Sequence, residues 1–155
     1  MAKRLFFILF IIFGACAFAE SALLDWKGSE AGLSENPRWL KTYTKKNSVE
    51  RIRSDFSLEK DALIFVGSGI DADLDGALQK ARADACQKAS KKLGEESGMK
   101  EGAAVRISGL VPVYSFWLQY GDFDSEGEQV ASAYKAYEIY SVSKKSWNAS
   151  KAAVK

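Results

Sequence analysis

Histidine is absent from this chain of 155 residues, which also has only two cysteines and two prolines. Without an imidazole the chain lacks the commonest general base and the commonest zinc ligand, which excludes Ser-His-Asp, Cys-His and imidazole-metal sites. Two cysteines are too few for a disulfide-rich miniprotein. Its 47% apolar, 27% charged and 12% aromatic residues are typical of one globular domain and exclude a disordered tail or a collagen-like repeat.

Residues 1–19 have the pattern of a signal peptide. Lys3 and Arg4 precede nine consecutive apolar residues, Leu5 to Phe13, and small residues follow them. Nine residues of helix would span only about half of a hydrocarbon core that is roughly 30 Å thick, so we do not expect a retained transmembrane anchor. We predict an exported bacterial protein of the periplasm or the outer membrane.

Two processing sites overlap at the end of this segment. Ala17-Phe18-Ala19 fits ordinary signal peptidase, which would leave Glu20 as the first residue. Phe13-Gly14-Ala15-Cys16 instead resembles a lipobox in which Cys16 is acylated, although Phe13 stands where leucine is usual. The sequence leaves open whether Cys16 carries a lipid anchor to the membrane or is removed.

The mature chain is expected to be neutral. Cleavage after Ala19 removes Lys3 and Arg4, and no acid, from 22 basic and 20 acidic residues, which leaves equal numbers of each sign. A neutral chain is not expected to capture nucleic acid, because that requires clustered cations. Cys86 is then the only thiol besides Cys16, and we interpret it as a small apolar side chain on a helix flank.

Patterning in the remaining chain predicts an α+β domain over 37–155, preceded by a tether over 20–36. Apolar and β-branched residues predict strands over 62–67, 103–120 and 130–142, the last two forming an antiparallel hairpin. The basic stretch 41–55 is interpreted as a solvated face. Between the first two strands, spacing predicts a helix over 73–93 that is capped by Asp71 or Asp73 and stopped by Gly94, and the tail 143–155 is predicted to form a short helix.

One column of the long helix indicates what it covers. Alanines at 77, 81, 85 and 89 lie on the apolar face, where such small side chains let a helix axis approach its partner closely. A sheet is the expected partner. The fold predicted is therefore a long helix packed on a three-stranded antiparallel sheet, in the order strand, helix, strand, strand, helix.

Three glycine- or acid-rich stretches invite a binding interpretation. Gly67-Ser68-Gly69 lacks the third glycine of a dinucleotide fingerprint and is expected to be a turn. Residues 71–76 and 122–128 resemble the start of an EF-hand loop, but position twelve is Arg82 in the first and Ala133 in the second, where calcium needs glutamate. We interpret both as acidic turns and predict no metal site and no cofactor.

A family resemblance rests on several separate segments. The chain resembles the bacterial family of twenty-kilodalton membrane-associated lipoproteins in the order and spacing of four segments. These are Asn36-Pro37-Arg-Trp39, the run 64–69, the alanine-rich helix 77–93 and the tyrosine-rich run 137–144. The fold is also similar to the N-terminal domain of the periplasmic flagellar assembly protein T and to dodecin-like sheets. The resemblance implies a non-enzymatic, often lipid-anchored envelope protein, with a link to flagellar or surface structures in some members. It carries over no functional residue.

Function is expected to reside in exposed aromatic side chains. One helix buries one face of a three-stranded sheet, so aromatic residues on both faces of the hairpin predict an interaction surface for another envelope protein or for a second copy. The candidate residues are Trp117, Tyr134, Tyr137 and Tyr140. The alternative is a protein that binds a small ligand or calcium through the acidic turns.

Overall fold

The computed structural model describes residues 20–29, 38–45, 48–99 and 106–154. Within them, four strands and four helices follow one another along the chain. In chain order they are β1 (Glu20–Trp26), α1 (Arg38–Tyr43), α2 (Val49–Asp55), β2 (Leu63–Asp71), α3 (Leu74–Ser97), β3 (Val111–Phe123), β4 (Gln129–Val142) and α4 (Lys144–Ala153).

The four strands form one sheet in the order β1-β3-β4-β2, with every neighbouring pair antiparallel. The predicted α+β class, with an antiparallel sheet and helices, is confirmed. The predicted number of three strands is wrong, because residues 20–26, expected to belong to a tether, form β1 and pair with β3. Their register runs from Glu20 opposite Phe123 to Trp26 opposite Leu118.

The long helix α3 lies almost in contact with the backbone of the sheet. Ala77, Ala81, Ala85 and Ala89 are fully buried, and β2 continues through Gly67 and Gly69 beneath them instead of ending in a turn. A Cβ atom at Gly67 would lie 1.9 Å from the carbonyl oxygen of Ala81. Glycine is therefore required at this crossing, and the alanine column fits it.

The two ends of α3 are fixed by different interactions. At the start, the Asp73 side chain accepts a hydrogen bond from the Gly76 N–H, which confirms one of the two predicted caps. At the other end, the helix passes through Gly94 and ends at Gly98, whose φ of +70° is the left-handed conformation typical of a helix end. The predicted stop at Gly94 is wrong, because burial of Leu93 and the bond from Met99 N–H to Gly94 O hold the extra turn.

The opposite face of the sheet is covered by α1 and α2, which the sequence analysis interpreted as a solvated basic face. Ile52 of α2 is fully buried, and the Trp39 ring of α1 stacks on Phe116 with ring centroids 4.7 Å apart. Tyr43 stacks on the same ring at 5.6 Å. Two basic side chains of α2 pair with acids of the same helix, Arg51 with Asp55 at 2.9 Å and Arg53 with Glu50 at 2.6 Å.

The C-terminal helix α4 closes one end of the α3 side. Trp147 is fully buried, stacks on Phe65 at 5.7 Å, and donates from its indole nitrogen to Glu96 of α3 at 2.9 Å. In β3, the register shifts between Pro112 and Tyr114. The shift places Val113 with Phe116, on the side of the sheet that α1 and α2 cover.

Candidate interaction surface

The α3 side of the sheet is only partly covered. In the described chain, α3 packs mainly on β2 and β4, and no helix packs extensively on the same face of β3 and β1. Apolar side chains occupy this uncovered part, which we call the open strip. Its members are Leu24 of β1, Leu78 of α3, Trp117 and Phe123 of β3, and Tyr134 of β4.

Trp117 and Tyr134 form the centre of the open strip. Their rings meet edge to face with centroids 5.9 Å apart. Together with Leu78 they pack against the buried cluster Ala77, Ala81 and Ala136, yet each remains partly exposed. Two aromatic rings are thus held at the edge of the core by alanines that are too small to cover them.

Leu24 and Phe123 extend the open strip to the edge of the sheet. Both side chains converge over Gly121: a Cβ atom there would lie 2.8 Å from Leu24 Cδ1 and 3.2 Å from Phe123 Cε2. The bare glycine therefore lets the two side chains lie close to the strand. Leu24 remains 39% exposed, which is unusual for a leucine beside so many apolar neighbours.

A buried carboxylate lies on the same face of the sheet. Glu138 of β4 is only 7% exposed, and its Oε2 lies 3.6 Å from Nε of the exposed Arg82. This oxygen accepts no hydrogen bond within the described residues. Burial, and then the neighbouring Glu138 carboxylate, raise the pKa of the Tyr140 hydroxyl. The arrangement places a buried carboxyl group of this face beside an exposed arginine side chain.

The predicted interaction residues therefore separate into two sets. Trp117 and Tyr134 lie in the open strip, whereas Tyr137 and Tyr140 are buried at 8% and 6% exposure. Tyr137 lies under α1 and α2, and Tyr140 packs with Phe65 and Trp147. Neither can form an exposed surface, because α1, α2 and α4 add cover that a one-helix model omitted. Cys16 lies outside the described residues.

The open strip also contains residues that the sequence analysis did not select. Leu24 was missed because residues 20–26 were expected to belong to a tether, and Phe123 was missed because the predicted strand ends at residue 120. Glycine inside a strand signals a close approach of another group, so Gly121 was the available indication.

The acidic turns have local structural partners. Asp71 pairs with Lys80 at 2.6 Å, and Asp73 caps α3. In the hairpin loop, the Asp124 carboxylate accepts from the N–H groups of Glu126 and Glu128, both at 2.9 Å. The described part of the chain contains no group of three or more carboxylate or cysteine side chains placed to hold a metal ion.

A shallow groove lies at one end of the sheet. It has a volume of about 380 Å³ and is lined by residues of all four strands, among them Ile70, Tyr120, Asp122 and Lys135. Its rim is wide open, and its polar groups are partly occupied with one another, since Ser21 donates to Asp122. This groove lacks the enclosure that small-ligand sites usually have.

Comparisons with known proteins give no assignment. Neither a scan against protein-family models nor searches of curated proteins and of solved structures found a match. Across the described residues, no helix combines the length and hydropathy needed to cross a bilayer.

Proposed function

We propose that this chain is an exported, non-enzymatic interaction module of the bacterial cell envelope and that the open strip is its contact surface. The observation that carries the proposal is the uncovered apolar face formed by β1 and β3 beside α3. Contiguous exposed apolar residues that include tryptophan and tyrosine are typical of protein interfaces. Partners are other envelope proteins or a second copy of the chain.

Export is supported by the basic and apolar pattern of residues 1–13. The intact mass of the native protein from separated envelope fractions tests it. A mass that begins at Glu20 indicates a free periplasmic protein, and one that begins at Cys16 with acyl chains indicates a lipoprotein. An uncleaved mass, in the cytoplasmic fraction, would contradict the proposal.

The contact surface is tested by site-specific photocrosslinking in the envelope. We expect p-benzoylphenylalanine in place of Trp117 to give a discrete crosslinked product, because that ring lies at the centre of the strip. The matched control is the same replacement at Tyr114, an aromatic residue of β3 that is more exposed than Trp117 and lies on the opposite face. Equal products from both positions, or none from Trp117, would contradict the assignment.

A substitution tests the energetics of the same surface. Trp117→Ala should weaken reversible binding of the partner identified by crosslinking by about 2 kcal/mol or more, roughly thirtyfold in Kd. Loss of a central aromatic side chain has an effect of this size at many protein interfaces. Because Trp117 also contacts the core, Leu24→Gln serves as a second variant with little effect on folding. Ile70→Ala, which removes an exposed apolar side chain outside the open strip, should leave binding unchanged.

A further inference from the structure

The two edges of the sheet differ in how their backbone groups are bonded. At the outer edge of β2, three side chains of α3, spaced four residues apart, bond to the strand as a neighbouring strand would. These bonds are Lys88 Nζ to Val66 O at 2.9 Å, Ser68 N–H to Asp84 Oδ2 at 2.8 Å, and Lys80 Nζ to Ile70 O at 3.1 Å. This edge cannot accept another strand unless α3 releases it.

Within the described residues, the outer edge of β1 has almost no such protection. The Asp25 carboxylate accepts the Trp26 N–H at 2.7 Å at the end of the strand. Over residues 20–24, no side chain of the described chain is bonded to the β1 backbone. An edge strand with free N–H and C=O groups is a template for pairing with a further strand.

The sequence of β1 is compatible with pairing to itself. The strand is regular up to Leu23, and its register then shifts before Asp25. A two-fold axis at Ala22 would pair the regular residues 21–23 with one another and place Glu20 opposite Leu24, at the register shift, of the second copy. The two acids, Glu20 and Asp25, then never face each other, so no like charges oppose the pairing. Ala22 would face its own copy, and its small side chain allows close approach.

We propose that two copies of this chain associate through antiparallel pairing of their β1 edges, centred on Ala22, to form one continuous eight-stranded sheet. In such a pair both copies present the same face on the same side. The two open strips then become neighbours across the new edge, with the two Leu24 side chains between them. The inference rests on the proposed function, because it names a second copy as the partner that completes this surface.

The oligomeric state tests the pairing. The full precursor is expressed, and the processed protein is examined by sedimentation velocity over a range of concentrations. We expect a dimer whose dissociation constant rises at least about tenfold in Ala22→Lys, since the two lysines would face each other at the axis. Val130→Lys, which adds the same charge at an exposed position of β4, should leave the dimer intact.

Disulfide trapping tests the register. In a Cys86→Ser background, Ala22→Cys should form a covalent dimer on mild oxidation, because directly opposed strand residues have Cα separations of about 4.5–5.5 Å, within disulfide range. Val130→Cys should not form one. A monomer at all concentrations, a dimer insensitive to Ala22→Lys, or equal trapping from both cysteines would overturn the proposal.

The outcomes also separate this inference from the proposed function. If the wild-type protein is monomeric while the Trp117 crosslink to another protein persists, the β1 pairing fails and the interaction module stands. If the dimer forms as described and no Trp117 crosslink is found, the contact surface fails and the pairing stands. A β1 edge that crosslinks only to a different protein overturns the assignment of a second copy.

Discussion

The two faces of the sheet are covered by opposite means. On one face α3 approaches the strand backbone through glycines and alanines, so closely that no Cβ atom fits at Gly67. On the other face, the short helices α1 and α2 stand off from the sheet on stacked rings of Trp39, Tyr43, Phe116 and Tyr137. Small side chains let the long helix pack close to the sheet, whereas large aromatic rings fill the wider gap beneath the short helices.

The difference implies that the faces tolerate opposite changes. Where backbones touch, no added atom can be accommodated, whereas loss of a methyl group leaves only a small cavity. Where large rings fill the gap, removal of a ring leaves a cavity that two short helices cannot close. Two kinds of substitution test this interpretation. One adds atoms to the strand beneath α3, and the other removes atoms from an aromatic side chain beneath α1 and α2.

The largest loss of stability is expected on the face of the sheet covered by α1 and α2, which we call the aromatic face. Phe116 is fully buried and contacts the rings of Trp39, Tyr43 and Tyr137. Phe116→Ala should lower the free energy of unfolding by about 3–5 kcal/mol, measured by urea denaturation. Val111→Ala, at an exposed position of the same strand, should change it by less than about 0.5 kcal/mol. A loss at Phe116 as small as that at Val111 would show that α1 and α2 do not cover this face.

The second-largest loss of stability is expected from a single methyl group added on the α3 face, the side of the sheet covered by α3. Gly67→Ala would place Cβ 1.9 Å from Ala81 O and 2.5 Å from Ala85 N. Because helix backbone cannot rotate away as a side chain can, we expect a loss of about 1–3 kcal/mol in the free energy of unfolding.

The control for this prediction is the same chemical change inside α3. A Cβ atom at Gly94 would meet nothing within 4 Å, and Gly94 lies within the helix. Gly94→Ala should therefore raise the free energy of unfolding by about 0.5–1 kcal/mol, through better helix propensity. If both alanines stabilise the protein, α3 does not lie as close to β2 as described.

The sequence predicted the α3 face far better than the aromatic face. A column of four alanines over a long amphipathic segment has one simple explanation, so the helix, its Asp73 cap and its partner sheet could be predicted. The end of the helix could not be, because the cost of Gly94, about 1 kcal/mol relative to alanine, is outweighed by contacts made only in the folded chain, such as the bond from the Trp147 indole to Glu96.

The aromatic face was missed because its helices are short. Trp39, Leu40 and Tyr43 have helical spacing, and so do Ile52 and Phe56, but each run lies among basic residues and covers barely two turns. Cover by a single helix then implied that some aromatic side chains of the hairpin were exposed. Trp117 and Tyr134, on the α3 side, are partly exposed. Tyr137 is buried under α1 and α2, and Tyr140, although on the α3 side, is buried against Phe65 and Trp147.

The smallest expected effect is a difference between the two faces in how the free energy of unfolding depends on pH. Burial, and then the hydrogen bond of 2.8 Å from the Tyr43 hydroxyl to the Asp55 carboxylate, raise the pKa of Tyr43 to about 12. A pKa that is higher in the folded than in the unfolded protein stabilises the fold below the unfolded value of about 10, and this contribution is lost as the pH rises from about 10 to 12.

Tyr43→Phe should remove that part of the alkaline loss, so its free energy of unfolding should fall less steeply than that of the wild type between about pH 10 and 12. Tyr140→Phe is the matched variant on the α3 side. Its hydroxyl also has a raised pKa, from burial and then from Glu138, but Arg82 opposes this by both its charge and a hydrogen bond, whereas at Tyr43 Arg51 opposes it by charge alone. We therefore expect Tyr140→Phe to reduce the slope less than Tyr43→Phe does. Equal slopes for the wild type and Tyr43→Phe would mean that the pKa of Tyr43 is not raised in the folded protein, which would contradict both its burial and its bond to Asp55.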